Sequence, residues 1–211
     1  KAHYNGLIPR NPFIQFHISP NVKEREYLTE DELKAVMTHE FADSKLAYIR
    51  DIFIFASFTV LSFVDIQELT NDNIVEVNGE KWILSKRHKT KVAFQVKLLD
   101  IPLQIVERYR PMQKDNRIFP DLNYWSICKP LKRMIRECGI TKSISFHCSR
   151  HGFATLALSK GMPIESVSRV LGHTNIVTTQ LYAKITTQKL DNDLTMFGDK
   201  LSKTFNGITM S

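Results

Sequence analysis

The sequence predicts an α+β domain, mostly α-helical, with one small three-stranded antiparallel β-sheet. Three observations carry that reading. The run "LAYIRDIFIFASFTVLSF", residues 46–63, is almost continuously apolar and reads as a buried central helix. Two strand-like segments flank an Asn-Gly pair at 78–79, a strong short-range hairpin signal. From Pro102 onward, helix-period segments follow one another, each closed by a glycine or opened by a capping residue.

The elements follow in order. Residues 1–25 carry Pro9, Pro12 and Pro20 and read as a linker with a short extended piece. Thr29 followed by Glu32 makes a capping box for a first helix, with Leu33, Val36 and Met37 as its apolar face. The central helix over 46–63 comes next. "IVEV" (74–77) and "KWILS" (81–85) form the hairpin, and "HKTKVAFQVKLL" (88–99), with Val92, Phe94, Val96 and Leu98 alternating, adds a third strand. After Pro102 come "LQIVERYR" and, from about 124, "YWSICKPLKRMIRECG". Ser145 is positioned to cap a helix through "FHCSRHGFATLALSK", closed by Gly161. Pro163 opens "PIESVSRVL", closed by Gly172, and Asn175 caps "IVTTQLYAKI". In the tail, Leu190, Leu194, Phe197, Leu201 and Phe205 recur at helical spacing as one apolar stripe, whose default use is to cover its own domain.

The chain of 211 residues is long enough for one sizeable core, and 43% hydrophobic with 24% charged residues argues for a packed fold. Lys and Arg number 29 against 22 Asp and Glu, a net charge of +7 and a pI near 9.3, which leans toward a polyanionic partner. Cys128, Cys138 and Cys148 carry no paired motif and read as free thiols in a reducing compartment. No apolar leader and no run of about 18 apolar residues stands in the sequence, so a membrane span is not expected. The first residue is not Met, which suggests a fragment or processed chain that lacks an N-terminal domain.

The chemistry concentrates at "FHCSRHGF", residues 146–153. His147 and His151 are four apart, the spacing of a helical metal pair, but Arg150 shares the face and would repel a dication. A phosphate clamp fits better, because the planar guanidinium of Arg150 matches two phosphate oxygens and His147 falls in the first helical turn, where backbone N–H groups favour an anion. A capped helix start with a surface Arg and a buried His explains the segment alone equally well. Two more segments tip the balance: "VLGHTN" places His173 after a glycine, and "TTQLYAKI" places Tyr182 nine residues later.

The ordered set His147, Arg150, His173 and Tyr182 resembles the catalytic domain of tyrosine recombinases, the phage-type integrases. Their pattern of His-x-x-Arg, then Leu-Gly-His, then a nucleophilic Tyr stands here as "HCSRH", "LGH" and "TTQLYA". "RHKTKV" matches the family's hairpin lysine at Lys89, and "NPF…REYLTEDEL" is similar to the linker and first helix of integrases from Bacteroides-type mobile elements. One segment departs from the pattern. Where the family has Thr-Gly-Leu-Arg followed three residues on by an acid, this chain has "TVLSFVD", with Ser62 at the arginine position and Asp65 as the acid. Losing a positioned cation at a transition-state oxyanion costs roughly 3–4 kcal/mol in other enzymes. Arg87, two residues before Lys89, is the candidate substitute, and the alternative is that Ser62 itself bonds a phosphate oxygen.

The resemblance implies a tyrosine recombinase fold and metal-free, cofactor-free strand exchange on double-stranded DNA. Tyr182 would attack the scissile phosphate to give a 3′-phosphotyrosyl bond, Arg150 and His173 would hold the non-bridging oxygens, and His147 would exchange the tyrosine's proton. Lys89 would protonate the departing 5′-oxygen. Lys86, Arg87 and Lys91 would meet the DNA backbone, with Asp65 and His151 in supporting positions. It further implies a homotetramer on synapsed DNA, accessory DNA-bending proteins, a location in the cytoplasm at the nucleoid, a catalytic unit over 26–190 and a tail over 191–211 that docks on a neighbouring protomer. The rivals are a non-catalytic helix–turn–helix regulator, with Asn175–Gln180 opening the recognition helix, and a type IB topoisomerase.

Overall fold

The structure, a computed structural model, describes residues 4–6, 26–88, 91–113, 115–173, 175–183, 187–204 and 206. Helix α1 (Glu30–Thr38) starts at Thr29 through the expected capping box, in which the Glu32 N–H donates to Thr29 Oγ1 at 3.2 Å and the Thr29 N–H to Glu32 Oε2 at 2.7 Å. Helix α2 (Ser44–Thr59) is buried along most of its length. It does not run on to residue 63. Val60 takes a left-handed conformation, φ 60° and ψ 16°, and Ser62 caps a separate short helix, α3 (Phe63–Gln67). The break is invisible to hydropathy because the helix, the corner and α3's inner face are all buried, so the apolar run continues through it.

The sheet is β1 (Ile74–Val77), β2 (Glu80–Lys86) and β3 (Ala93–Lys97), antiparallel in the order β1-β2-β3. Ile83 pairs with Ile74 on one side and Val96 on the other, so the central apolar residue is held from both edges. Strand β3 is shorter than the alternation suggests. Val92 is exposed and Lys91 has a positive φ of 56°, so the chain is still turning there. Helix α4 (Asp100–Tyr109) begins two residues before Pro102, which sits in the first turn where its missing N–H costs nothing.

Helix α5 (Tyr124–Glu137) forms as expected. Helix α6 (Cys148–Ser159) starts two residues later than Ser145 implies; the Ser145 hydroxyl lies 3.3 Å from Cys148 Sγ, and His147 is the N-cap residue. Helix α7 (Ile164–Leu171) ends in left-handed Gly172. Helix α8 (Val177–Gln180) is one turn long, with Asn175 Oδ1 accepting from the Val177 N–H at 2.9 Å. A recognition helix of the kind a helix–turn–helix regulator needs is therefore not formed by this segment. Helix α9 is Thr187–Thr204, and its stripe is open rather than covering the domain: Leu194 and Phe197 are 60% and 58% exposed. Phe205, like most of the linker expected over 1–25, lies outside the described residues.

A large apolar cluster gathers α1 to α5, the sheet and the start of α6 around Phe53, Phe55 and Phe119. A smaller cluster of Val60, Ala154, Leu158, Val167 and Leu171 holds α6 and α7 together, and Tyr182 and Ala183 pack at its edge. Val60 is thus the joint between α2's end and the α6–α7 layer. Among the described residues no helix is long and apolar enough to cross a membrane.

Candidate active site

The left-handed turn at Val60 aims its carbonyl at two guanidinium groups. Arg87 Nη1 donates to it at 3.2 Å and Arg150 Nη1 at 3.1 Å. Each arginine also donates to the C-terminal end of α7, Arg87 Nη2 to the Val170 carbonyl at 3.1 Å and Arg150 Nη2 to the Leu171 carbonyl. The last carbonyls of a helix lack intrahelical donors and carry the negative end of its dipole, so two cations there offset part of their mutual repulsion. A β-branched residue in the left-handed region costs roughly 1–2 kcal/mol. Burial in the smaller cluster, where Val60 is 0% exposed, and the two carbonyl bonds hold it there. Sequence reasoning passed over Val60. The signal was available, since the matching family segment has glycine at that position, the residue that takes positive φ without strain.

Arg87 is only 8% exposed. Its Nη1 pairs with Asp65 Oδ2 at 3.0 Å, and its guanidinium carbon lies 4.2 Å from the centre of the Phe94 ring. Asp65 also accepts the Ser62 N–H at 3.2 Å and the His88 N–H at 2.9 Å. Burial pushes the Asp65 carboxyl up, but His88, Ser62 and Arg87 outweigh it and hold it below the usual carboxylate range. One carboxylate therefore fixes the start of α3, the buried arginine and the chain leading into the hairpin loop. Gly172 lies against the same arginine; a Cβ built on it would sit 3.7 Å from Arg87 Nε, a buried N–H without a hydrogen-bond partner among the described residues.

Arg150 is half-buried, and its two bonds use two of its five N–H groups. Burial and then the like charge of Arg87 push its pKa down to about 10, so it keeps its proton at neutral pH. A phenolate at Tyr182 is close enough to raise it again. His173 is half-buried, its Nδ1 2.9 Å from Thr179 Oγ1. Burial, then Arg150 and Arg87, push its pKa down, so it is a neutral imidazole at pH 7. His147 is exposed at the start of α6, its ring 4.7 Å from that of His151. The hydroxyl of Tyr182 meets His151 Nδ1 at 2.5 Å, so the histidine first placed in a supporting position touches the candidate nucleophile.

Lys86 and Lys91 are exposed at the hairpin end, whereas Arg87 between them is turned inward and is not a surface contact. Ser62 is exposed, and its Oγ accepts the Asp65 N–H at 3.3 Å as the cap of α3. Lys89 lies outside the described residues.

Residues 26–189 match the model of the phage integrase family. The chain is 32% identical to tyrosine recombinase XerA of Pyrococcus horikoshii over 177 residues, covering 77% of this chain and 58% of that protein. It therefore spans little more than half the length of that relative. Among solved structures, the XerH recombinase bound to its palindromic difH substrate after cleavage superposes with a TM-score of 0.68 at 22% identity, over 86% of this chain and 56% of that one. The Tn1549 transposon integrase in complex with circular intermediate DNA gives a TM-score of 0.71 at 17% identity, over 92% of this chain and 73% of that one. At these identities the two structures speak for the fold, and the family match extends through the segment that brings Arg150, His173 and Tyr182 together: this chain belongs to the phage integrase family.

Proposed function

We propose that the chain carries the catalytic unit of a site-specific DNA recombinase that cuts and rejoins strands through a 3′-phosphotyrosyl intermediate. The observation that carries this reading is the gathering of Arg150, Arg87, His173 and Tyr182 around one helix end, the C-terminus of α7. A phosphodiester seated there meets Arg150 as a bidentate donor and neutral His173 as a hydrogen-bond donor to its non-bridging oxygens. Arg87 supplies the second positive charge that the family's missing arginine would bring, acting from within the fold and tied to it by Asp65. Tyr182 Oη forms the bond to phosphorus as the bond to the 5′-oxygen breaks, and Lys89 delivers the proton that oxygen needs. Lys86 and Lys91 follow the DNA backbone.

The catalytic unit is residues 26–190. The partner is double-stranded DNA, with four protomers in the synapsed complex. The open stripe of α9 is suited to dock on a neighbouring protomer, and a truncation after Asp193 is expected to weaken synapsis while sparing single-site cleavage. The test of the reading itself is covalent capture. The chain is incubated with a pool of nicked duplexes of random sequence, and denaturant-resistant protein–DNA adducts are isolated and sequenced. An adduct that forms with the wild type and is lost in Tyr182→Phe supports the reading; capture that is indifferent to Tyr182 rejects it.

A further inference from the structure

A tyrosine hydroxyl with a pKa near 10 is a poor nucleophile at neutral pH unless something takes its proton. The motif reading gives that task to His147. The structure brings a different side chain to the hydroxyl. We propose that His151 accepts the proton of Tyr182 as the tyrosine attacks the scissile phosphate, an assignment that rests on reading the chain as a recombinase.

The geometry is specific. His151 stands in the first turn of α6, one residue after Arg150, and is 8% exposed. Its Nδ1 is 2.5 Å from Tyr182 Oη, within the range of a short O–H···N bond, and the two rings are tilted at 43° with centroids 5.3 Å apart. When the hydroxyl donates across this contact, Nδ1 is the unprotonated ring nitrogen. That is the tautomer a base requires. The adjacency of His151 to Arg150 also ties base and phosphate ligand to one rigid helix, so a tyrosine bonded to His151 is held near the group that grips its target. His147 packs edge-on against His151 at 4.7 Å from the exposed side and buttresses its ring.

The step balances without another reactant. The Oη–P bond forms, the Tyr182 proton moves to His151 Nδ1 to give an imidazolium, and the P–O5′ bond breaks with its oxygen protonated by the acid of the leaving-group side. In religation the 5′-hydroxyl attacks as it gives its proton back to the leaving-group-side base, Tyr182 leaves, and His151 returns the proton to it.

The test separates holding the hydroxyl from taking its proton. Asparagine at 151 keeps an acceptor near the place of Nδ1 but cannot be protonated. Using the captured duplex in nicked form, His151→Asn is expected to form adduct at least about 10²-fold more slowly than wild type while retaining DNA. A fluorinated tyrosine at position 182, whose hydroxyl ionises far more readily, is expected to recover tenfold or more of that loss in His151→Asn and to change the wild type little. A merely structural role for His151 would not respond to the acidity of the nucleophile. Adduct formation by His151→Asn within threefold of wild type, or no recovery with the fluorinated tyrosine in a variant that still binds DNA, overturns the assignment. A measurement without any change at 151 guards against a folding failure: the ¹⁵N resonance of His151 Nδ1 is expected to move in Tyr182→Phe, and an unmoved resonance removes the contact and the proposal with it. If the wild type itself gives no Tyr182-dependent adduct, the recombinase reading falls; if it does and His151→Asn matches it, only His151 loses its role.

Discussion

The two halves of the site are built differently. The cations bridge the two clusters, since both donate to the Val60 carbonyl and to the end of α7. Arg87 directly follows β2, lies on the Phe94 ring and is paired with Asp65, and Arg150 reaches from α6 to the same Val60 carbonyl. The proposed nucleophile belongs to the small cluster alone. Tyr182 follows a helix of four residues and packs at the edge of five buried side chains, with Val177 and Leu181 exposed beside it. The charges that would stabilise a pentavalent phosphorus are thus fixed before DNA arrives, which is where preorganisation is worth most. The tyrosine hangs from a segment with few buried contacts, of the kind that opens locally at low cost. The proposed function needs both properties, because its nucleophile would have to carry a DNA end and release it.

The comparison breaks most sharply at Arg87. Arg87→Ala leaves Asp65 buried without its cation, and removing one member of a buried pair costs about 3–5 kcal/mol. Loss of the charge beside the phosphate is expected to slow adduct formation a further 10²- to 10³-fold, by analogy with a removed oxyanion donor. Urea denaturation and covalent capture read the two effects separately, and wild-type cleavage by a folded Arg87→Ala would end its candidacy as the substitute cation. Next come the two apolar clusters. Ile52→Ala in the large core is expected to cost about 2–5 kcal/mol of global stability. Leu171→Ala, in the small cluster beneath the site, should fall at the low end of that range yet reduce cleavage more, because it loosens the end of α7 that both arginines grip. Equal ratios of stability loss to activity loss in the two variants would erase the distinction between the halves.

Much of this was legible beforehand, for identifiable reasons. Thr29 with Glu32, Asn78 with Gly79, Gly161 and Gly172 are local signals that act within a few residues, and the structure uses each as read. His147, Arg150, His173 and Tyr182 were singled out by their resemblance to the family's motif order. What neither local signals nor that resemblance could reveal was anything set by tertiary contact. The break at Val60 hides in an apolar run, the inward turn of Arg87 depends on Asp65 and Phe94, and the contact between His151 and Tyr182 spans 31 residues. Alternation over 88–99 overextended β3 because a positive φ at Lys91 leaves no trace in hydropathy.

Ser62 sharpens the comparison at smaller scale. It occupies the family's arginine position, yet its hydroxyl caps α3 through the Asp65 N–H. Ser62→Ala is therefore expected to cost about 1 kcal/mol of stability, the usual worth of an N-cap. Cleavage should stay within about fivefold of wild type, since the cap touches no phosphate in this reading. A loss near that of Arg87→Ala would instead make the serine a phosphate ligand.

The smallest effect is a pH dependence in the fixed half. His173 has its pKa pushed down in the fold by burial and by the two arginines, so the folded state favours the neutral ring. The unfolded chain takes up its proton first as pH falls. The stability His173 contributes is then fully present above the ordinary histidine pKa of about 6.5 and is lost as pH drops toward the lower, folded value. Asp65 acts in a separate window, since a lowered carboxyl pKa costs stability only as pH falls through the ordinary carboxylate range and below. Melting temperatures at pH 7.5 and 5.5 should fall more for the wild type than for His173→Gln. Bound DNA should narrow that gap, because a phosphate beside His173 opposes the repulsion of Arg87 and Arg150 and raises its proton affinity. An acid loss that is the same in both proteins, or that DNA leaves untouched, would mean that the phosphate does not sit where these cations converge.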